Sequence, residues 1–551
     1  SVSSRKPSGE FDDIYDLQGK IALPGMINAH HHLYSALAVG MPLPKNNPTN
    51  FTEILQEVWW KMDLALDRDS TQACFEAGLL DSLKAGTTTI IDHHCSPSFI
   101  KGSLSLLAEI GEKLGLNTSV AFEISDRNGE EKFEASLQEN LDTVRKFSGT
   151  PHVHPMLGLH ASFTLTDVSL KKIREAADGL DSWGIHAHVS EDIADEADAA
   201  QKGYGSVLER LEKFDLINEN GLVIHGLHIK KSDAELIQKH NAQLVHNPSS
   251  NANNRVGMAS NYNLKKLKSG LGTDGMQGNM LREGKEGMLI RSSHLSGGKD
   301  SVDYMQFLFE NNVSIASKLF DRKIGRILPN YQADLTIFDY YPRTPITEST
   351  IFGHVFFGLN DSPSDVITRG EFRVRDRQLL NFSEEEIKAE IHNIEHHRSH
   401  MASAFFASPF KESAILSIDG FGDFTSTMIG VGKGRKIEVL DSVIYPHSVG
   451  VFYTAFTQYL GFKHYGDEYK VMGLSPYGNA TMIDKVKDVL IFKDDGLFEI
   501  NKKYFKHPKE GVSMSWESGD PFIENIFSDY MVEVFGKARL KDEEITQFHK
   551  D

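Results

Sequence analysis

The sequence has 551 residues, 40% of them hydrophobic and 25% charged, with a formal net charge of −19 at pH 7. That length exceeds one compact core, so two or three domains are expected, in a chain of ordinary soluble globular composition. The acidic balance excludes a nucleic-acid or anionic-membrane surface as the main business, and with Cys74 and Cys95 as the only cysteines there is neither a disulfide framework nor a Cys-based zinc site.

No secretory signal, transmembrane run or lipidation motif is evident, and a cytoplasmic location is expected. Ser1 in place of Met predicts an N-terminus that is processed or missing. Residues 1–20 are polar. From Ile21 to Ile27 an apolar run predicts a buried strand that stops at Asn28-Ala29-His30-His31-His32. Side chains alternate along a strand, so His30 and His32 point together while His31 points away. Two imidazoles so placed can hold one metal ion; the plainer reading is a polar strand end in a chain with 24 His. Residues 34–84 form an excursion with a Pro-rich loop at 41–44 and helical periodicity through Phe51, Ile54, Leu55, Val58 and Trp59. The Trp59-Trp60 pair reads as helix packing or as a cage that sets Trp60 against substrate.

A second apolar strand, 87–91, ends at Asp92-His93-His94, and the pattern repeats. Strand 117–122 ends at Glu123 and strand 153–159 at His160. Strand 184–189 carries His186 and His188, with Glu191 just beyond; strand 222–227 carries His225. Strand 243–245 runs into His246-Asn247-Pro248, and strand 270–273 ends at Asp274. Eight strands with helical segments between them over about 250 residues predict an α/β fold, a (β/α)₈ TIM barrel at residues 23–324. Chemistry in such barrels sits at the carboxyl ends of the strands, where these polar groups fall. A doubly wound open sheet is the alternative, but it gives no reason for a polar group at every strand end.

Residues 324–339 read as strand, turn, strand, and 366–370 with 372–374 as a hairpin. Together, 1–22 and 325–382 predict a small β-sandwich unit. An acidic helical linker, 383–390, leads to a third region, 391–551.

His30 and His32 after strand one, His188 after strand five, His225 after strand six and Asp274 after strand eight converge on one mouth. Neutral imidazoles with one carboxylate suit Zn²⁺ or Fe²⁺ and leave a place for water, whose pKa the ion lowers towards about 7. Asp274 can accept the water's proton. Glu191 can carry a proton between the substrate ring and the leaving group.

The segments PGMINAHHH, GTTTIIDHH, HAHVSE, IHGLHI, HNPSSNANNRVG and GLGTDG resemble the amidohydrolase superfamily, in its aminohydrolase/chlorohydrolase branch and nearest its SsnA-like aminohydrolases. The resemblance covers roughly residues 1–382. It implies that His30, His32, His188 and Asp274 ligate one divalent metal, zinc or else iron. It also implies that His225 orients the hydroxide, Glu191 shuttles protons and His160 contacts substrate. Binuclear relatives carry a carboxylated lysine after strand four, where this chain has His160, which implies a single ion. His93 and His94 are not general to the branch; His94 either lines the pocket or satisfies a loop carbonyl. A small-molecule substrate and a homodimer through the barrel are expected.

In the third region, 395–406 is helical in character and sets His396 and His400 one turn apart, a spacing able to hold a metal or simply a solvated face. A buried strand, 414–418, precedes Asp419-Gly420-Phe421-Gly422, an acid and glycines in a turn whose N–H groups can approach phosphate. With 445–450 and 466–478, these segments resemble the NodU-type carbamoyltransferases. That implies a partial actin-like ATPase (ASKHA) α/β domain, with a second metal on the His pair and ATP phosphates facing Asp419, Gly420 and Gly422. The apolar face that would meet the rest of such a fold is expected to be exposed. The expected activity is metal-dependent hydrolysis of a C–N bond, deaminating an amidine-like heterocycle. Hydrolytic dechlorination or cyclic amide hydrolysis at the same site is the alternative within chemistry. ATP- or carbamoyl-phosphate-dependent carbamoyl transfer, with the barrel a passenger, is the alternative outside it, and a metal-binding partner protein without turnover is a third class.

Overall fold

The apolar run that begins at Ile21 is cut in two at Gly25. β1 (Ile21–Pro24) and β2 (Met26–His31) join different sheets, a correction to the single strand expected from 21 to 27. The crossing between sheets requires glycine: a Cβ on Gly25 would lie 2.3 Å from Thr88 Oγ1 and 2.8 Å from Asp334 Cβ. In this computed structural model the described residues are 14–17, 19–39, 41, 48–294, 303–380, 396–422, 424–464, 466–494, 496–512, 514–517 and 520–551. They form two compact units, Ser1–Ile391 and His392–Asp551.

The first unit is an α/β barrel. After β2 come β3 (Thr87–Asp92), β4 (Asn117–Val120), β5 (Val153–Pro155), β6 (Leu157–Ala161), β7 (Ile185–Val189), β8 (Leu222–His225), β9 (Gln243–His246) and β10 (Gly270–Leu271). β5 and β6 are one barrel strand interrupted at Met156, so eight strands pair in parallel as β2-β3-β4-β5 and β6-β7-β8-β9-β10. The bridges His31↔Asp274 and Ile124↔Leu159 join the two sheets. Every residue of β2 and β3 is buried, as parallel strands covered by helices require. At the β10–β2 seam the Asn312 side chain accepts from Leu271 N (2.7 Å) and donates to the carbonyls of Ile27 (2.7 Å) and Leu271 (2.8 Å). Backbone groups that a closed ladder would pair are thereby satisfied.

β1 begins a separate antiparallel sheet with β11 (Leu335–Phe338), β12 (Asp365–Thr368), β13 (Glu371–Arg375) and β14 (Gln378–Leu379), in the order β1-β11-β12-β13-β14. Among the described residues this is one sheet, where two stacked layers were expected. The predicted hairpin is β12–β13, turning at Arg369 and Gly370 with φ of 54° and 85°. The strand expected near 324 does not form: Ile324 instead packs with Ile27, Val313 and Phe320 in an apolar cluster. The predicted linker, 383–390, lies outside the described residues.

In the second unit, β15 (Glu412–Gly422), β16 (Thr425–Lys433) and β17 (Lys436–Ile444) form an antiparallel meander. The helix His396–Phe406 buries Met401 and Phe405 in a cluster with Ile415 and Met428 of that sheet. Leu416, Ile418, Leu440 and Ile444 are exposed. No helix among the described residues is long and apolar enough to cross a membrane.

Candidate metal centre

His30 and His32 project from the end of β2, His188 from β7, and Asp274 from the turn after β10. His30 Nε2 lies 3.0 Å and His32 Nε2 2.9 Å from Asp274 Oδ1, and His32 Nε2 lies 3.1 Å from His188 Nε2. All four ligand atoms fall within 4.8 Å of one another. Ligands about 2.0–2.1 Å from a tetrahedral ion stand about 3.3 Å apart, close to these spacings. Ser190, His225 and Asp274 hold φ of 50°, 69° and 55°. Left-handed backbone at non-glycine residues is costly and concentrates at sites the surrounding fold over-determines.

The tautomers make the case sharper. His32 Nδ1 lies 2.5 Å from His93 O, and His188 Nδ1 lies 2.8 Å from His160 O. A carbonyl can only accept, so each Nδ1 carries the hydrogen and each Nε2 presents a bare lone pair. Two lone pairs therefore face each other at 3.1 Å and need a positive charge between them. A proton supplies part of that need. Burial opposes it, but the adjacent Asp274 outweighs burial and raises His32 to about 9. One proton cannot reach all four atoms at once; a divalent ion can, and the donor set fits one. Burial holds His30 and His188 well below the ordinary imidazole value, leaving them neutral as ligands must be. Burial alone would raise Asp274, but the His32 charge and the hydrogen bonds from His30 and His32 keep it well below the usual carboxylate range.

Around this core the supporting contacts are local and specific. His30 Nδ1 lies 2.8 Å from His186 Nε2. His31, pointing away as expected, meets the Asp274 carbonyl at 2.8 Å and so ties down its backbone. The helix Pro248–Asn253 supplies Ser250, whose Oγ donates to Asp274 Oδ2 at 2.5 Å, and Asn251, whose Oδ1 lies 2.8 Å from His225 Nδ1. His225 Nε2 is then buried without a hydrogen-bond partner, 3.4 Å from Glu191 Oε2. Burial first, then Asp274, push Glu191 well above its ordinary value, which favours its protonated form.

The cavity beside these groups is lined by His160, Trp60, Trp59, Phe51, Leu55 and Phe163 among others. The structure therefore brings His160 and Trp60 to the site. His94 it does not: that ring is buried between Phe75 and Phe122, with Nε2 2.6 Å from Ser96 Oγ. β3 ends at Asp92, and two residues later the chain has already turned His94 away, onto a hydroxyl rather than a loop carbonyl. Sequence reasoning missed Asp63, which also lines the cavity, and gave Glu123 no role beyond ending a strand. No spacing rule connects residues so far apart in the chain.

In the second unit His396 Nε2 lies 2.8 Å from Asp419 Oδ2 and 2.9 Å from His400 Nε2, a second group within reach of one ion. Asp419, Gly420 and Gly422 belong to β15 rather than to an open turn. A Cβ on Gly422 would lie 2.1 Å from His396 Cδ2, so that glycine makes room for the imidazole, and Gly420 N donates to Asp419 Oδ1 at 2.6 Å.

The sequence pattern of the amidohydrolase family matches residues 21–372, and that of the carbamoyltransferase N-terminus matches residues 310–546. A 5-methylthioadenosine/S-adenosylhomocysteine deaminase of Thermococcus onnurineus is 26% identical over 382 residues, which are 67% of this chain and 86% of that protein. An uncharacterized protein of Synechocystis sp. is 46% identical over 122 residues; the match takes in 22% of this chain, which spans only 20% of that protein. Among solved structures, a zinc-bound adenosine deaminase from Xanthomonas campestris superposes with a TM-score of 0.58 at 19% identity, over 67% of this chain and 84% of that one. The family match takes in β1, all the barrel strands and the strand ends that carry the site, and the chain belongs to the amidohydrolase family.

Proposed function

We propose that the first unit is a metal-dependent aminohydrolase that deaminates an amidine-like carbon of a small nitrogen heterocycle. His30, His32, His188 and Asp274 are the ligands of one ion, with zinc the choice that fits imidazole donors and the zinc-bound relative. The observation that carries this reading is the pair of Nε2 lone pairs of His32 and His188, facing each other at 3.1 Å. The named relative's activity, deamination of adenosine derivatives, supports the same bond class.

A bound divalent ion would supply Lewis acidity that makes a water nucleophilic near neutral pH. The chain's own groups then divide the work. The bare Nε2 of His225 accepts a hydrogen bond and orients the attacking water. Glu191, whose buried setting favours the protonated form, gives its proton to a ring nitrogen. Of the water's two protons, one then passes through Asp274 to the departing amine and the other returns to Glu191, so both carboxyls end as they began. A C–O bond forms, the C–N bond breaks, and ammonia leaves. Trp59, Trp60 and Phe163 supply flat apolar walls against which a heterocycle can lie, and they exclude bulk water.

Elemental analysis of the purified chain, with ammonia release measured on aminopurines and aminopyrimidines, tests this. One equivalent of metal and turnover are expected, both lost in His188→Ala. Stoichiometric metal retained in that variant would sink the ligand assignment. We further read residues 392–551 as a partial actin-like ATPase fold with a second ion on His396, His400 and Asp419, supported by the carbamoyltransferase match. Titration of ATP with and without Asp419→Ala, followed by calorimetry, tests whether the nucleotide belongs there. A cytoplasmic homodimer through the barrel completes the proposal, and light scattering checks the mass.

A further inference from the structure

One short helix approaches three groups of the site. From Pro248–Asn253 and its C-cap, Asn254, Ser250 Oγ donates to Asp274 Oδ2 at 2.5 Å and Asn251 Oδ1 lies 2.8 Å from His225 Nδ1. Asn254 Nδ2 donates to Glu191 Oε1 at 3.5 Å. A metal ligand, the group that orients water and the proton carrier thus take their places from the same stretch of backbone.

A helix of six residues is marginal by itself, so what packs on it decides where it lies. The helix Met280–His294 packs there and brings two carboxyls. Glu283 Oε1 accepts from Ser249 N at 3.0 Å, and Glu286 Oε2 accepts from Ser249 Oγ at 3.0 Å. Beside them the helices close up at Gly287, where a Cβ would lie 2.6 Å from Pro248 Cγ. Ser249 N is one of the first amides of its helix, which no carbonyl within the helix can satisfy. Glu283 fills that need from a buried position, and Glu286 does its part from a half-buried one. Burial pushes Glu283 up to about 7, and the hydrogen bonds from Ser249 work against that rise. The contact needs an oxygen acceptor at this spot, and a glutamine carbonyl would meet the need as well. Both carboxyls act at Ser249. A 1 Å shift of the helix would carry Ser250, Asn251 and Asn254 with it, and misplacement on that scale costs about 10²-fold in rate.

Resting on the aminohydrolase reading, we propose that Glu283 and Glu286 are positioning residues of the reaction. They seat the helix Pro248–Asn253 by its Ser249, and through Ser250, Asn251 and Asn254 that one seat sets Asp274, His225 and Glu191 together.

The test uses the full chain loaded with zinc or with cobalt, whose visible absorption bands report ligand geometry without any turnover. Ammonia release from aminopurines and aminopyrimidines gives kcat and KM. Glu283→Ala should keep one equivalent of metal, alter the cobalt bands, and lower kcat by about 10²-fold with KM within about threefold. Glu283→Gln should restore the bands and bring kcat to within about threefold of the wild type. Glu286→Ala removes the outer hold alone and should move both readouts the same way by less, so it decides the matter if Glu283→Ala does not fold. Wild-type bands and kcat in Glu283→Ala, or in Glu286→Ala where the first variant does not fold, overturn the proposal. So does a loss that falls on KM, or a Glu283→Gln as impaired as Glu283→Ala. Altered bands rescued by glutamine, in a chain that releases no ammonia from any compound, uphold the seat and remove the deaminase reading, so the two failures are separable.

Discussion

Gly272→Ala should dismantle the metal centre without touching a ligand. Gly272 stands where the chain leaves β10 beside β2, and its N–H donates to His246 O at 2.9 Å. The next two amides, of Thr273 and Asp274, both donate to His30 O, at 2.9 and 3.0 Å. This is the stitch that sets Asp274 against His30. A Cβ at position 272 would lie 2.6 Å from Asn247 Oδ1, 2.7 Å from His30 N and 2.8 Å from His30 Cβ. Ordinary carbon contacts begin at about 3.5 Å, so the shortfall is about 0.7 Å. The Asn247 side chain can yield; the His30 backbone cannot without moving β2. Overpacking of this kind costs about 1–3 kcal/mol, or about 1–4 °C in Tm for a unit of this size. Metal sites tolerate ligand displacements of only about 0.2 Å, so bound metal should fall as well. Gly275→Ala, three residues on, is the control: its Cβ would meet Ser35 Oγ and the Trp59 ring at 3.4 Å, an ordinary contact. Scanning calorimetry and elemental analysis of both variants decide the matter. Were Gly272→Ala to melt within about 1 °C of the wild type and keep one equivalent of metal, the steric argument would be wrong.

Glu191→Gln should keep its metal but lose about 10²-fold or more in kcat, because an amide cannot relay a proton; a wild-type rate on a verified substrate would give Glu191 another job. Asp195 accepts from Ser190 N and Phe163 N, and burial pushes it up to about 7 against about 3.9 unfolded. A raised folded value favours folding below pH about 4, and that benefit is lost as pH climbs through 7, a swing of about 4 kcal/mol. The Tm of Asp195→Asn relative to wild type should therefore rise between pH 5 and pH 8, and a flat difference would refute the burial assignment. Every residue placed in the metal centre and its cavity lies within Ser1–Ile391. A chain ending at 391 should bind one equivalent of metal and release ammonia with kcat/KM within about threefold of the full chain; loss of metal on truncation would show that the second unit is needed.

The barrel was legible because its evidence is local. Each strand is a short apolar run, and each ends in a polar residue within a few positions, so eight strand ends and the pairing of His30 with His32 follow from a period of two. The His396–His400 pair follows in the same way from the period of a helix. What the sequence could not supply was contact across strands. The need for glycine at position 25 depends on Thr88 and Asp334; the bare nitrogens of His32 and His188 depend on carbonyls of His93 and His160. His94, beside a barrel strand end like the ligands themselves, is turned onto Ser96, while Asp63, Glu123 and Arg127 meet from three separate segments. Periodicity tells which side of its own strand or helix a residue occupies. Which groups then lie within 3 Å of it is settled only when the barrel closes and brings strands far apart in sequence edge to edge.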